Sequence, residues 1–427
     1  MRSKISFFNK TIFCKTMTRF WPLWVIYLYI WAFILPFSML SDTQSRWFSP
    51  LDLKYDVLNA ATSPSILMGL VFAILAAIAV WSFLYSNRSA SGTACLPVRR
   101  EELFLSVMAA GVVPFICANV VVAVICVLAG TDFSAVLVWF GVNSLIFLFF
   151  YGFASFCAQL TSNIIALPVI YLVLSYIIGL IGLSFRFILG LLVFGMGEYI
   201  DYEDSATIYF MPERCYDAYL KTEEIYYTNA EGRRVLIDYT FHGWNTVLIY
   251  AAAAIVLFIL AFVLFRKHRM ESAGDVIAVM PLTPVFRWIM AVFCGLFLSV
   301  IMADMIPANS NSVEFAQILA DFIVGAFIGW FGTQMLMEKS FKVFNRGWTG
   351  FLGYSICCAV VIVLLLASKA DLFGYERYIP DMDHITSVTI RGAELSEPES
   401  ISQVTALHES IITQTSQVKM RSNDGEN

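Results

Sequence analysis

Long apolar runs separated by short polar loops dominate this chain, and their lengths set its architecture. Runs of about 20 apolar residues match the thickness of bilayer hydrocarbon when helical. They occupy Phe20–Leu40, Ile66–Tyr85, Leu103–Ala129, Ala135–Leu160, Ile164–Phe185, Val247–Phe265, Val285–Ile306, Phe315–Met337 and Phe351–Ala367. The pattern predicts nine transmembrane helices. A tenth run, Phe187–Met196, is too short to cross and reads as a re-entrant or interfacial helix packed on its neighbours, since a bare helix end in hydrocarbon leaves backbone groups unsatisfied. The first run follows a basic stretch as a signal peptide does. Phe37-Ser38-Met39-Leu40 offers no small-residue cleavage site, however, so this run is expected to remain as a span.

Between and after the spans the periodicity changes. Ile5, Phe7, Phe8, Ile12, Phe13 and Met17 fall among Lys4, Lys10, Lys15 and Arg19, which predicts an amphipathic helix lying on the membrane surface over residues 1–19. Tyr227 to Ile237 reads as a hairpin turning at Asn229-Ala230-Glu231-Gly232, within a polar loop covering 201–243. Past the last span, Ile385–Ile390 alternates as a strand does, and Ile401, Val404, Leu407 and Ile411 share one helical face after Pro398. The expected fold is therefore an all-α polytopic membrane protein with a small α/β appendage. Its parts are a surface helix at 1–19, six spans over 20–265, a polar loop at 266–284, three further spans over 285–367, the appendage at 368–412 and a polar tail at 413–427.

Composition supports the membrane class: 59% of residues are apolar and 14% charged, with a mean hydropathy of +0.74, where soluble domains carry roughly 25% charge. The basic residues set the orientation. Arg2, Lys4, Lys10, Lys15, Arg19, Arg88, Arg99, Arg100, Arg266, Lys267, Arg269, Arg287, Lys339, Lys342 and Arg346 all fall in segments that nine crossings place on one side, which puts the N-terminus in the cytoplasm and the C-terminus outside. Eight of the nine cysteines lie in spans or in cytoplasmic segments, which argues against a disulfide framework.

The chain shows no pattern for catalysis or metal binding. It has no Gly-Lys pair and so no phosphate-cradling glycine loop. His242, His268, His384 and His408 are widely separated and none lies in an HExxH pattern. Neither an enzyme nor a nucleic-acid binder is indicated. In or beside the spans the polar groups that stand out are Asp304, Asp321, Asn119, Asn143, Gln159, Asn163 and Gln334. A charged carboxylate at Asp321 would cost roughly 2.5 kcal/mol or more in hydrocarbon, so that residue is expected to face a helix, a cavity or a partner. The amides read first as interhelical hydrogen-bonders, and Gly325-x-x-x-Gly329 as a close helix contact within the chain.

The loop over 86–102 is the most informative short segment. Small residues run from Ser86 to Ala94, Leu96-Pro97 follows, and Arg99-Arg100-Glu101-Glu102 opens the next span, which suits a short helix on the membrane face stopped by Pro97. The pattern Phe83-Leu84-Tyr85-Ser86-Asn87-Arg88-Ser89, then Leu96-Pro97-Val98-Arg99-Arg100-Glu101-Glu102-Leu103-Phe104, resembles the coupling loop of bacterial permease subunits of the ABC-2 type. Phe265-Arg266-Lys267-His268-Arg269-Met270-Glu271-Ser272-Ala273-Gly274-Asp275, followed by Pro281-Leu282-Thr283-Pro284, is similar to the second cytoplasmic loop of a Gram-positive subgroup with an extracellular C-terminal extension. The resemblance covers about residues 1–412. It implies that Ser91, Leu96, Pro97, Arg99, Arg100 and Glu101 meet a cytosolic ABC ATPase that binds ATP and Mg, with Glu271, Gly274 and Asp275 in the second loop. It also implies a second permease subunit, alike or different, export across the cell membrane, and no cofactor on this chain. An ion-coupled secondary transporter and a non-transporting membrane sensor or scaffold are the alternatives that the residues leave open.

Overall fold

The computed structural model describes residues 8–37, 50–192, 211–228, 234–267, 283–305, 311–338, 348–370, 388–390, 393–395 and 397–413, with a few single residues between. Eight helices or helix pairs among them are long and apolar enough to cross a membrane, or nine if the bent pair at the N-terminus crosses as one. The protein is a helical, multi-pass membrane protein. It divides into two compact units, residues 1–179 with 203–283 and residues 180–202 with 284–427.

The first unit begins with α1 (Lys10–Arg19), capped by Asn9, whose side-chain oxygen accepts from the backbone N–H groups of Thr11 and Ile12. The chain then bends by 62° into α2 (Trp21–Ala32), which a π-helical turn over Phe33–Phe37 extends. A break at α1 is expected because Pro22 sits at the start of α2, where its missing N–H costs nothing. Helices α3 (Pro50–Ala60) and α4 (Ser63–Val80) together make the second candidate span, Leu51–Val80. This corrects the expected range of Ile66–Tyr85. The polar residues Asp52, Lys54, Asp56 and Asn59 interrupt the apolar run without interrupting the helix, because Lys54 has acidic partners. A 3₁₀ turn, Ser82–Leu84, leads to the short helix α5 (Asn87–Ala94).

Helix α6 (Arg100–Leu128) returns across the unit, with Glu101 and Glu102 favouring its N-terminal dipole. Asp132 caps α7 (Phe133–Leu160) by accepting from Ser134 N–H. Helix α7 is the centre of the unit, packed against α4 and α6 and against α10 (Trp244–Lys267). Seventeen of its residues are buried, which a helix surrounded by others requires and a lipid-facing one does not. Helix α8 (Ala166–Leu192) runs on without a break through Phe187–Leu192. The separate short helix expected at Phe187–Met196 is therefore not formed in its described part, since Ser184-Phe185-Arg186 contains no helix breaker; residues 193–196 lie outside the described residues.

Helix α9 (Pro212–Tyr219) precedes the hairpin, in which β1 (Lys221–Thr228) pairs antiparallel with β2 (Arg234–His242) and a bulge falls at Ile225/Tyr226. The strands are longer than the expected hairpin, and its turn residues lie outside the description. Gly243 has φ +121° between β2 and α10, and an added Cβ would stand 2.6 Å from the Tyr219 carbonyl oxygen, so only glycine suits this turn.

The second unit holds α11 (Thr283–Met305), α12 (Asn311–Glu338) and α13 (Trp348–Lys369). Its core gathers Ala291, Leu296, Phe322, Trp330, Cys357 and Leu365, joined by Ile188 from the end of α8. Strand β3 (Val388–Ile390) pairs with β4 (Ala393–Leu395), and α14 (Pro398–Thr413) follows, in line with the strand and helix expected after the last span. Ile401 of α14 is buried, whereas Leu407 and Ile411 on the same face are exposed.

Candidate coupling surface and buried polar groups

Helix α5 is fixed from below and open above. Ala90 is buried, Ser89 Oγ donates to the Phe83 and Ser86 carbonyls, and Thr93 Oγ1 donates to the Ser89 carbonyl, so the small hydroxyl residues tie the short helix to itself and to the turn before it. Arg88, Ser91, Gly92, Leu96, Pro97 and Arg99 are exposed along its outer side and C-terminal end. The turn before α5 follows an aromatic floor: the Trp81 ring is 5.4 Å from Phe104 and 5.6 Å from Phe265, and those two are 5.5 Å apart. It joins the ends of α4, α6 and α10.

Polar contacts bind the same ends. Arg100 Nη1 donates to the Arg266 carbonyl at 2.9 Å, and Arg266 Nη1 lies 3.8 Å from Glu101 Oε1. An exposed pair of that length contributes at most ~1 kcal/mol, so the apolar floor carries most of the contact. From the other side, Asn9 N–H donates to Ser106 Oγ at 2.7 Å, and Asn9 Nδ2 reaches Glu102 Oε1 at 3.4 Å. The structure thus brings Arg100 and Glu101 to the start of the second loop through Arg266. Glu271, Gly274 and Asp275 lie outside the described residues.

The opposite end of the first unit, where the hairpin sits, holds an ion cluster that hydropathy conceals. Lys54 Nζ of α3 is 2.6 Å from Asp238 Oδ1 on β2 and 3.5 Å from Asp132 Oδ2 at the cap of α7, and the lysine side chain is only 14% exposed. The Lys54 hydrogen bond lowers the Asp238 carboxyl below its ordinary range, and the Ser134 hydroxyl bond does the same for Asp132. Both acids therefore stay charged, and keep the cluster, until the pH falls through those depressed values. A lone lysine at the head of an apolar stretch was the available signal.

Within the spans, Tyr27 OH donates to Asn119 Oδ1 at 2.9 Å, and Asn143 Nδ2 donates to both Tyr27 OH and Asn119 Oδ1 at 3.1 Å. Asn119 Nδ2 donates to Ser144 Oγ at 3.2 Å. These bonds link α2, α6 and α7, as expected for Asn119 and Asn143. The other amides behave differently. Gln159 donates to Ser155 O and Gln334 to Glu338 Oε1 in their own helices, while Asn163 Oδ1 accepts from Ile165 N–H in the loop before α8. In the second unit, Asp321 lies on α12 with Oδ2 buried and without a hydrogen-bond partner among the described residues. Asp304 lies on α11, its side chain outside the description. Among the described residues no group of three or more His, Cys, Asp or Glu is placed to hold a metal. No family model matches the chain, and no curated protein or solved structure matches it.

Proposed function

We propose that this chain is the membrane permease subunit of an ATP-binding cassette exporter, with a second permease subunit alongside and cytosolic ATPase subunits that hold ATP and Mg. The observation that carries the reading is α5, a short helix with an exposed outer side that Ser89 ties to the turn at Phe83, directly after the Trp81 cluster that joins the ends of α4, α6 and α10. Force applied to Leu96 or Arg99 would pass to three spans at once. Closure of the ATPases would shift the population between two packings of those spans. In this reading the chain lies in the cell membrane with α5 in the cytoplasm and β1–β2 outside.

Orientation is tested by thiol labelling of intact cells on a cysteine-free background. Cysteine at Thr228 or Ser400 should react with an impermeant reagent and cysteine at Ser91 should not; reaction at Ser91 would overturn the orientation. The Asp321 carboxylate oxygen Oδ2, without a hydrogen-bond partner among the described residues, favours a second reading, an ion-coupled carrier. Asp321→Asn separates the two, because it keeps the size of the group and removes a charge whose cost in hydrocarbon is about 2.5–3.5 kcal/mol. The exporter reading expects transport to persist in the variant, to continue when ion gradients are collapsed at constant ATP, and to stop when ATP is removed. Loss in both of the first two conditions, with expression unchanged, would establish the carrier.

A further inference from the structure

Helix α7 carries Trp139, Asn143, Phe147, Tyr151, Ser155 and Gln159 at steps of four residues, and each is at most 1% exposed. Each step turns by about 40° around a helix, so the row winds and yet stays buried, because other helices surround α7. Trp139 meets Trp31 of α2 at 5.0 Å between rings. Asn143 meets Tyr27 and Asn119, and Tyr151 OH donates to the Met108 carbonyl of α6 at 3.4 Å.

Interhelical bonding explains part of this row. It does not explain the indole N–H of Trp139, the amide oxygen of Asn143 and the amide oxygen of Gln159, which are buried with no hydrogen-bond partner among the described residues. Each such group costs about 1–3 kcal/mol when left unpaired. A donor and an acceptor one turn apart, Trp139 and Asn143, suit a small hydrogen-bonding guest, and Gln159 offers a further acceptor nearer the α5 end. Between the two lies an aromatic plug. Phe147 is 4.0 Å from Phe115, which is 4.5 Å from Tyr27, which is 5.1 Å from Phe72.

The plug sits where α6 bends most readily. Pro114 lies inside that helix immediately before Phe115 and supplies no N–H for the Ala110 carbonyl. Three residues earlier, a Cβ on Gly111 would overlap the Tyr151 hydroxyl, so the helices are in close contact beside the hinge. The first turn of α6 holds Arg100 and Glu101, so the surface loop and Phe115 are carried by one helix with Pro114 between them.

We propose that the α7 row is a gated polar path through the first unit, for water and neutral hydrogen-bonding solutes of similar size, shut in this conformation by Phe115 and Phe147. The inference does not depend on the ATPase assignment. Its test is osmotic water permeability of proteoliposomes holding the full chain, measured by stopped-flow light scattering.

Opening a dewetted constriction should raise the per-protein permeability of Phe147→Ala about tenfold above the unaltered protein. Phe150→Ala, equally buried on α7 but off the row, should leave it unchanged. A cysteine at Ser155, unreactive from the hairpin side in the parent, should become reactive there with a small thiol reagent when Phe147 is Ala. If Phe147→Ala lowers the yield of monodisperse protein, Phe147→Leu replaces it in both measurements. Unchanged permeability and labelling in a folded variant would overturn the path. An equal rise in Phe150→Ala would overturn it too, since that would mark general loosening.

Discussion

Under the proposed permease function, Leu96→Asp and Arg99→Glu, each alone, should abolish stimulation of an ATPase subunit while leaving the chain inserted in the membrane at normal level. Both residues are exposed, Leu96 just past α5 and Arg99 at the N-cap of α6, and neither belongs to the aromatic floor. The substitutions therefore place an acid on a small, partly apolar contact surface without disturbing Trp81, Phe104 or Phe265. A charge left unpaired at the centre of such a contact costs about 2–5 kcal/mol, and every 1.4 kcal/mol is about tenfold in affinity. The direct measurement is capture of the ATPase by each tagged single variant and by the double variant from solubilised membranes, together with substrate-stimulated ATP hydrolysis. Recovery of an unchanged amount of ATPase that still responds to substrate would remove α5 from the coupling role.

The parts of the fold legible in the sequence were those governed by long runs. A stretch such as Leu103–Ala129 admits few structures other than a spanning helix, and α6 occupies Arg100–Leu128. Punctuation was legible as well: Pro97 and the paired glutamates marked the end of α5 and the start of α6. Charged residues inside helices were misleading. Lys54 and its acidic neighbours lower the hydropathy of α3, so the second span was placed too late, because the compensating Asp132 and Asp238 are distant in sequence. Arg186 misled in the same way, dividing one helix, α8, into a span and a separate short run. A charge breaks a hydropathy window without breaking backbone hydrogen bonds.

The buried polar groups were legible as a set and illegible as a network. Asn119 and Asn143 were expected to bond between helices, and they do. Gln159 and Gln334 carry the same amide yet bond within their own helices, because the partner of an amide depends on which helix faces it. The surface loop was recognised from its residues, but the link from Arg100 to Arg266 across 166 positions follows only from α6 and α10 ending side by side. Pattern identifies the helices, and packing decides what their polar groups meet.

Gly325→Leu and Gly329→Leu should each separate α11 from α12 and lower the stability of the second unit by about 1–3 kcal/mol, the usual cost of overpacking. An added Cβ on Gly325 would overlap the Cys294 carbonyl oxygen, and one on Gly329 the Met290 carbonyl oxygen, both backbone atoms that cannot swing aside. Facing them, a Cβ on Gly295 would come 2.6 Å from the Phe322 ring. Close approach also allows Ser299 Oγ of α11 to donate to the Ile318 carbonyl of α12 at 3.1 Å. Lipid offers no hydrophobic drive to hold separated helices together, so nothing else in the bilayer replaces the packing energy of this seam. Gly332→Leu is the control, because among the described residues nothing stands within 4 Å of an added Cβ at that position. Thermal unfolding in detergent should show a lower midpoint for the first two variants and an unchanged one for the third. If Gly325→Leu melts as Gly332→Leu does, the close packing of α11 on α12 is wrong.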